Sequence, residues 1–380
     1  MKNIILGITL RFALLFLLLF TFVYLAHGQK LKEYKFPNDY RGIIHLHSEL
    51  SHDSDGKFEN IVKAAKNNDI DFVVMTDHWS PTLYKKSKRG FFENTLFIIG
   101  AEISKNENVT LIALPLPKNF VPENDWKKNV MSLHEKDSLA LASHIEFSQT
   151  SQLVETDGVE ITNLHAILVD RNYFGFFWLW TKAIWPKNWD LAFLFNSKTI
   201  ENTIYWHYLN KSIKMPAFVG NDTHDNYRLF YKLGPKLGSY DNTFKLITTH
   251  IWAEELTEKS VVEAIKTGQS YFAFESFGDA KGFRFYATNN ENVILPGNIF
   301  IPPTPKPPFF IKNKTTITIK APLNKISNNT KIKIIKDGVV IKEGFGALLN
   351  LEDPKPGNYY AEIWKNEKPW IFSNPIKIYQ

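Results

Sequence analysis

Two apolar runs in this chain end in histidine. Arg41 to Ile44 leads into His45-Leu46-His47, and Asp71 to Met75 leads into Thr76-Asp77-His78. Side chains two apart on a strand share a face, so His45 and His47 can aim at one object from a rigid element, as a metal ligand pair must. With 11 histidines in 380 residues, about 0.3 such pairs arise by chance, and two satisfied strand histidines are the plain alternative. The downstream residues strengthen the metal reading. A Ser- and Asp-rich loop, Ser51 to Gly56, comes next. After it lies a helical stretch, Glu59 to Asn68, with Ile61, Val62, Ala64 and Ala65 facing a core. This spacing predicts a β-α-β unit, in which ligand groups collect at the carboxyl ends of strands.

More residues of the same chemistry follow at predicted strand ends. Thr95 to Ile103 carries Glu102 just past Gly100, where an unpaired buried carboxylate would be costly. Val109 to Leu116 is a further strand and Asp125 to Asp137 a helix, with His134 on its surface. Leu139 to His144 ends in histidine. Asp157 to Asn163 continues the series, with Glu160 and His165 near the expected rim. Thr199 to Lys211 reads as a helix, and Pro216 to Asp222 runs into Asp222-Thr223-His224. The collected set is His45, His47, an aspartate of the 51 to 56 loop, His78, Glu102, His144, Asp222 and His224. Imidazole mixed with carboxylate suits Zn, Fe or Mn. The chain contains no cysteine, so thiolate ligands, disulfides and a lipid-modified cysteine are all excluded. No G-x-S-x-G elbow or phosphate loop is found.

The ordered series H-x-H, S-H-D, T-D-H, G-x-E, S-H and D-x-H resembles the polymerase and histidinol phosphatase (PHP) family of metal-dependent phosphoesterases, over roughly Tyr40 to Glu275. The resemblance implies an α/β fold, a distorted (β/α)7 barrel over 41–277, with two or three divalent metal ions (Zn, Mn or Fe) at the strand ends. It implies that His45, His47, Glu102 and Asp222 hold one ion, that Glu102 bridges to a second served by His144, and that Asp53, His78 and His224 hold a third. Glu102, His78 and Asp222 form the implied catalytic set. Two departures stand out. Asp53 has the family's offset from the helix, whereas Asp55 precedes Gly56 as in the family's usual Asp-Gly; Asp53 is preferred. The histidine that often follows the family's glutamate is missing, with Thr110 near its place, which weakens the second metal.

At the amino terminus, Ile4 to Ala26 is apolar apart from Arg11, and Phe12 to Ala26 is uncharged. That length suits a signal-peptide core better than a bilayer span. The expectation is export, to the periplasm or the exterior, with cleavage after Gly28; an uncleaved anchor is the alternative. Residues 29–40 read as a tether. The formal charge is +6, and without the leader 43 basic residues face 39 acidic ones. Lysines are scattered, so no nucleic-acid partner is expected. Tyr173 to Phe195 holds four of the ten tryptophans, a packing insertion or a surface that meets a membrane interface or an apolar substrate.

Toward the carboxyl terminus, Phe244 to Glu255 is a strand, a helix starts at Thr257 and stops near Gly268, and Ser270 to Glu275 is a strand. From about Gly278 short alternating strands predict a small all-β, sandwich-like domain over 278–380. Asp337-Gly338 marks a hairpin within it, and Gly357 to Trp364 with Trp370 to Tyr379 forms another. The expected function is an exported hydrolase that cleaves a small or lipid-like phosphate mono- or diester with metal-bound hydroxide. A carbamate, amide or carboxylic ester hydrolase on the same scaffold is the nearest alternative, and a non-catalytic cell-envelope binding module the more distant one.

Overall fold

The computed structural model describes residues 34–106, 109–145, 153–169, 197–226, 228–230, 233–236, 238–289, 292–301, 315–322 and 329–379. The leader, the Trp-rich stretch at 173–195 and the Pro-rich link at 302–308 lie outside them. Two units are distinguished, Met1–Phe36 and Pro37–Gln380. In the first, only 34–36 are described, and they form no regular element.

The second unit starts with β1 (Asn38–Ile44), which crosses through α1 (Phe58–Asn67) to β2 (Phe72–Met75). Ile61, Ala64 and Ala65, spaced for one helical face, pack on Ile43, Val73 and Phe97. After α2 (Leu83–Lys86) and β3 (Gly90–Phe92) comes β4 (Thr95–Ile99). β1, β2 and β4 pair in parallel. The four residues of β2 and the five of β4 are all buried, as continuous apolar runs in parallel sheets must be.

At Gly100 the chain changes sheets. A Cβ there would stand 2.9 Å from the Ala113 carbonyl and 3.0 Å from that of Met75, so only glycine lets the two sheets approach. β5 (Ala101–Asn106), β6 (Val109–Leu114) and β7 (Leu139–Ser143) then run antiparallel, with α3 (Trp126–His134) leading into β7. β8 (Gly158–Asn163) and β9 (Ala217–Gly220) add in parallel to β7, with α4 (Leu164–Val169) and α5 (Ser197–Leu209) between them. Ile44, Phe72, Val74 and Ile98 of the first sheet meet Ile112, Leu141 and Phe218 of the second in a shared core. Burying each such side chain contributes on the order of 1.5–3 kcal/mol. Two isolated bridges, Leu46 with Thr223 and His78 with Glu102, join the sheets at their strand ends.

The chain goes on through β10 (Arg228–Phe230), β11 (Leu233–Lys236), α6 (Tyr240–Thr243), β12 (Ile247–Ala253), α7 (Glu258–Thr267) and β13 (Ser270–Phe274). α7 opens with a reciprocal cap between Thr257 and Ser260 and stops at Gly268, φ 79°, as its sequence predicts. The remaining strands are β14 (Arg284–Asn289), β15 (Asn292–Ile294), β16 (Ile299–Phe300), β17 (Thr316–Lys320), β18 (Thr330–Lys336), β19 (Val339–Phe345), β20 (Leu348–Glu352), β21 (Gly357–Lys365), β22 (Lys368–Ser373) and β23 (Ile376–Ile378). β18 and β19 form the expected hairpin at Asp337-Gly338, whose φ angles of 51° and 83° match the positive values such a turn needs.

The expected (β/α)7 barrel with an appended sandwich is not what forms. Strand makes up 41% and helix 20%, with seven α-helices among the described residues, and the largest sheet has twelve strands of mixed direction. A (β/α) barrel requires a helix between successive parallel strands. Here β4 passes to β5 through one glycine, β5 to β7 form an antiparallel meander, and β12 lies antiparallel to β1. Nor do the later strands stand apart. β22 pairs with β13, so β16, β18, β19, β21, β22 and β23 extend the sheet that contains β1, while β14, β15, β17 and β20 form a separate four-stranded sheet.

Candidate metal centre

His45 and His47 leave β1 where it meets the second sheet, and both are fully buried. β1 ends at Ile44; His45 takes a φ of 65°, and Leu46 turns into the core beside Ile61 and Val73. His78 follows β2, Glu102 lies in β5, His144 follows β7, and Asp222 and His224 follow β9. All eight expected side chains come together there. His47 Nε2 is 3.1 Å from Glu102 Oε2 and 3.2 Å from Asp222 Oδ1, and His45 Nε2 is 3.6 and 3.5 Å from the same two atoms. His144 Nε2 lies 3.5 Å from Glu102 Oε1 and from Asp222 Oδ2. Asp53 Oδ2 is 3.0 Å from His78 Nε2 and 3.2 Å from His224 Nε2. Asp55, by contrast, is exposed and bonds His224 through its backbone N–H alone. His165 stands edge-on to the His224 ring, centroids 5.0 Å apart, at the margin of the cluster.

The free ends of the rings are fixed from behind. His45 Nδ1 lies 2.7 Å from Glu160 Oε1, and His47 Nδ1 lies 3.1 Å from Ser51 Oγ, whose own hydroxyl donates to Asp77. His224 Nδ1 faces the carbonyl of Asp222 at 2.9 Å, and Tyr240 donates its hydroxyl to the His47 carbonyl. A proton on each Nδ1 would leave the Nε2 atoms, which face the carboxylates, free to hold an ion, an arrangement common behind metal-bound histidines. His45 Nε2, His47 Nε2 and Asp53 Oδ1 are buried without a hydrogen-bond partner. Three such orphans in one place are unusual, and a cation satisfies them. The spacing fits as well. Ligands about 2.1 Å from a shared ion are about 3.0 Å apart in octahedral and about 3.4 Å apart in tetrahedral geometry, close to the separations found here. The residues present therefore fit a metal ion, and these buried His, Asp and Glu clusters can hold one.

Electrostatics agree with that chemistry. Burial by itself pushes His47 down, but the Asp222 and Glu102 carboxylates outweigh it and bring the ring up to about 9. His45 is likewise raised well above the usual imidazole range, with Glu160 and Asp222 overcoming its burial. Glu102 and Asp222 are held well below the usual carboxylate range by the surrounding histidines, although burial pulls the other way. Asp53 is lowered by His224 and His78 against its partial burial. Backbone strain collects here too: His45, His144 and Asp222 all have positive φ, 65°, 52° and 48°. Such strain persists where surroundings over-determine it.

Ser51, Asp77, Asn163 and Tyr240 were not singled out by spacing, and Glu160 was placed only near the rim. Glu160 is a charged residue inside an apolar run and Asp77 follows one closely, a signal like the one that marks Glu102, since a buried carboxylate demands partners. Comparison of the sequence with protein-family models and with curated proteins found no match.

Proposed function

We propose that the chain is an exported, metal-dependent hydrolase of phosphate mono- or diesters, small or lipid-like. The observation that carries this reading is the pair of buried, unpartnered Nε2 atoms of His45 and His47, facing Glu102 and Asp222 in an assembly from both sheets. The ordered motif series supports it through its resemblance to the PHP phosphoesterases. Two or three ions, Zn, Mn or Fe, suit the mixed donor set. Bound divalent ions would supply Lewis acidity and lower the pKa of water toward ~7.

The chain's own residues divide the work by depth. His45 and His47 form a fully buried floor. The side chains of His144, His78 and Asp53 are 19, 23 and 36% exposed, so a substrate reaches the cluster from their side. Glu102 and Asp222 place one oxygen toward His47 and the other toward His144, which suits carboxylates shared between ions. His165, half-buried beside His224, stands where a phosphoryl group would enter.

Export rests on the leader, with mature protein starting at Gln29 or retained by Phe12 to Ala26. No helix among the described residues is long and apolar enough to cross a membrane. The Trp-rich 173–195 stretch is the proposed contact with a membrane surface or an apolar substrate portion. The test is elemental analysis of purified protein followed by a panel of phosphomonoesters, phosphodiesters and carboxylic esters. Stoichiometric metal with phosphoesterase activity supports the reading. Trace metal in active protein overturns it, and ester hydrolysis without phosphoesterase activity moves the substrate class to carboxylic esters.

A further inference from the structure

We infer that the end of β8, which contributes no ligand, positions one of two metal subsites, through Glu160 and Asn163. The inference rests on the metal-centre reading above. Among the described residues, four overlapping ligand sets have atoms within 4.8 Å of one another. Two that share no residue are a first set of His47, Asp53, His78 and His224 on one side and a second of His45, His144 and Asp222 on the other, while His45 also groups with His47 and Glu102, and Asp222 with His165 and His224. Glu160 and Asn163 touch only the second set.

Glu160 is fully buried and uses both carboxylate oxygens. Oε1 lies 2.7 Å from His45 Nδ1, which fixes the ring with Nε2 toward Glu102 and Asp222. Oε2 accepts from the backbone N–H of His144 at 3.0 Å and from Asn163 Nδ2 at 3.1 Å. Asn163 Nδ2 also lies 3.1 Å from Asp222 Oδ2, while Asn163 Oδ1 accepts the Ala166 N–H at the start of α4. One glutamate and one asparagine thus reach all three members of the second set. Those three are the residues with positive φ at the site, and hydrogen bonds of this kind are what hold such backbone in place.

The sequence makes room for this device at Gly220. A Cβ there would stand 1.6 Å from Glu160 Oε1 and 3.1 Å from His45 Cβ, so any side chain expels the carboxylate from its place behind His45. The first set is supported independently, by Ser51 and Asp77 behind His47 and by Tyr240 on the His47 carbonyl. Glu160 is accordingly a positioning residue, and its direct contacts fall on one subsite.

The test titrates the metal-free full chain with Zn2+ against a chromophoric chelator, beside Co2+ absorption spectra. Glu160→Gln cannot accept at both ends, because an amide turns one of its two positions into a donor facing a donor. Glu160→Gln and Gly220→Ala are each expected to weaken one ion about 10–100-fold, the usual effect of losing such an outer partner, and to leave the other within about twofold. Ser51→Ala should weaken the other ion instead. If Glu160→Gln does not fold by circular dichroism, Asn163→Ala frees Asp222 Oδ2 with the carboxylate retained and should weaken the same ion. Unchanged binding in these variants, or equal weakening at both ions, overturns the inference. If the wild type takes up one ion, that ion must weaken in Glu160→Gln and not in Ser51→Ala. A wild type that binds no Zn2+ overturns the metal-centre reading itself, visible before any variant is made.

Discussion

Glu102 reaches His47 with one carboxylate oxygen and His144 with the other, Oε2 at 3.1 Å from His47 Nε2 and Oε1 at 3.5 Å from His144 Nε2. A single side chain from β5 therefore touches both halves of the ligand cluster. Its backbone is held by the bridge to His78, so the carboxylate is aimed by the junction of two sheets rather than by a loop.

Removing that carboxylate should hurt more than removing any other single ligand. Glu102→Ala is expected to lose metal from both subsites and to lower activity by more than about a hundredfold, beyond the usual effect of an outer-partner substitution. Elemental analysis beside kinetics checks this; a variant that retains full metal content contradicts the shared role.

The two aspartates of the first loop should separate cleanly. Asp53→Ala removes an oxygen 3.0 Å from His78 and 3.2 Å from His224, and is expected to reduce metal content and activity together. Asp55→Ala alters an exposed side chain and should leave both near wild type. The opposite ranking in one metal assay would reassign the loop.

The metal-free and metal-loaded proteins should respond to pH with opposite slopes. His47, raised to about 9, contributes stability that is fully present below the ordinary value of about 6.5 and lost as pH climbs through about 9. Glu102 and Asp222, held below their ordinary values of 4.5 and 3.8, contribute stability present above those values and lost as pH falls further. The metal-free chain should therefore be most stable between about pH 4.5 and 6.5, with a melting temperature that declines toward pH 9. Metal binding must displace ring protons, so its affinity and the stability it adds grow over that same interval. Thermal melts with and without chelator, taken across pH 5 to 9, decide the matter.

A second buried charge network lies near the opposite end of β1. His250 sits between Asp39 at 3.0 Å and Glu275 at 2.8 Å, and Asp39 also accepts from Tyr271 and the Gly282 N–H. Asp39→Asn should cost about 3–5 kcal/mol, as for other broken buried pairs, read by urea unfolding. Asp39 is six residues from His45, about 20 Å along an extended strand. Folded Asp39→Asn should therefore keep its metal affinity, and loss of metal in the folded variant would contradict that separation.

What the sequence determined is what depends on neighbours in the chain. β2 is legible because Phe72 to Met75 is unbroken apolar residues, and α7 because Thr257 and Gly268 bracket a helical period. The turn at Asp337-Gly338 is legible because those residues tolerate positive φ. The ligand types were legible too, since His45, His78, His144, Asp222 and His224 all stand where an apolar run gives out. Sheet membership was not. A run such as Leu139 to Ser143 carries the same apolar pattern whether its partner is parallel or antiparallel, so nothing local told that β5 to β7 would form a meander or that β22 would pair with β13. For the same reason Glu160 passed as a rim residue. That its carboxylate lies behind His45, across 115 positions of chain, in space left by Gly220, is settled by packing between the two sheets, where contacts depend on distance in space and not along the chain.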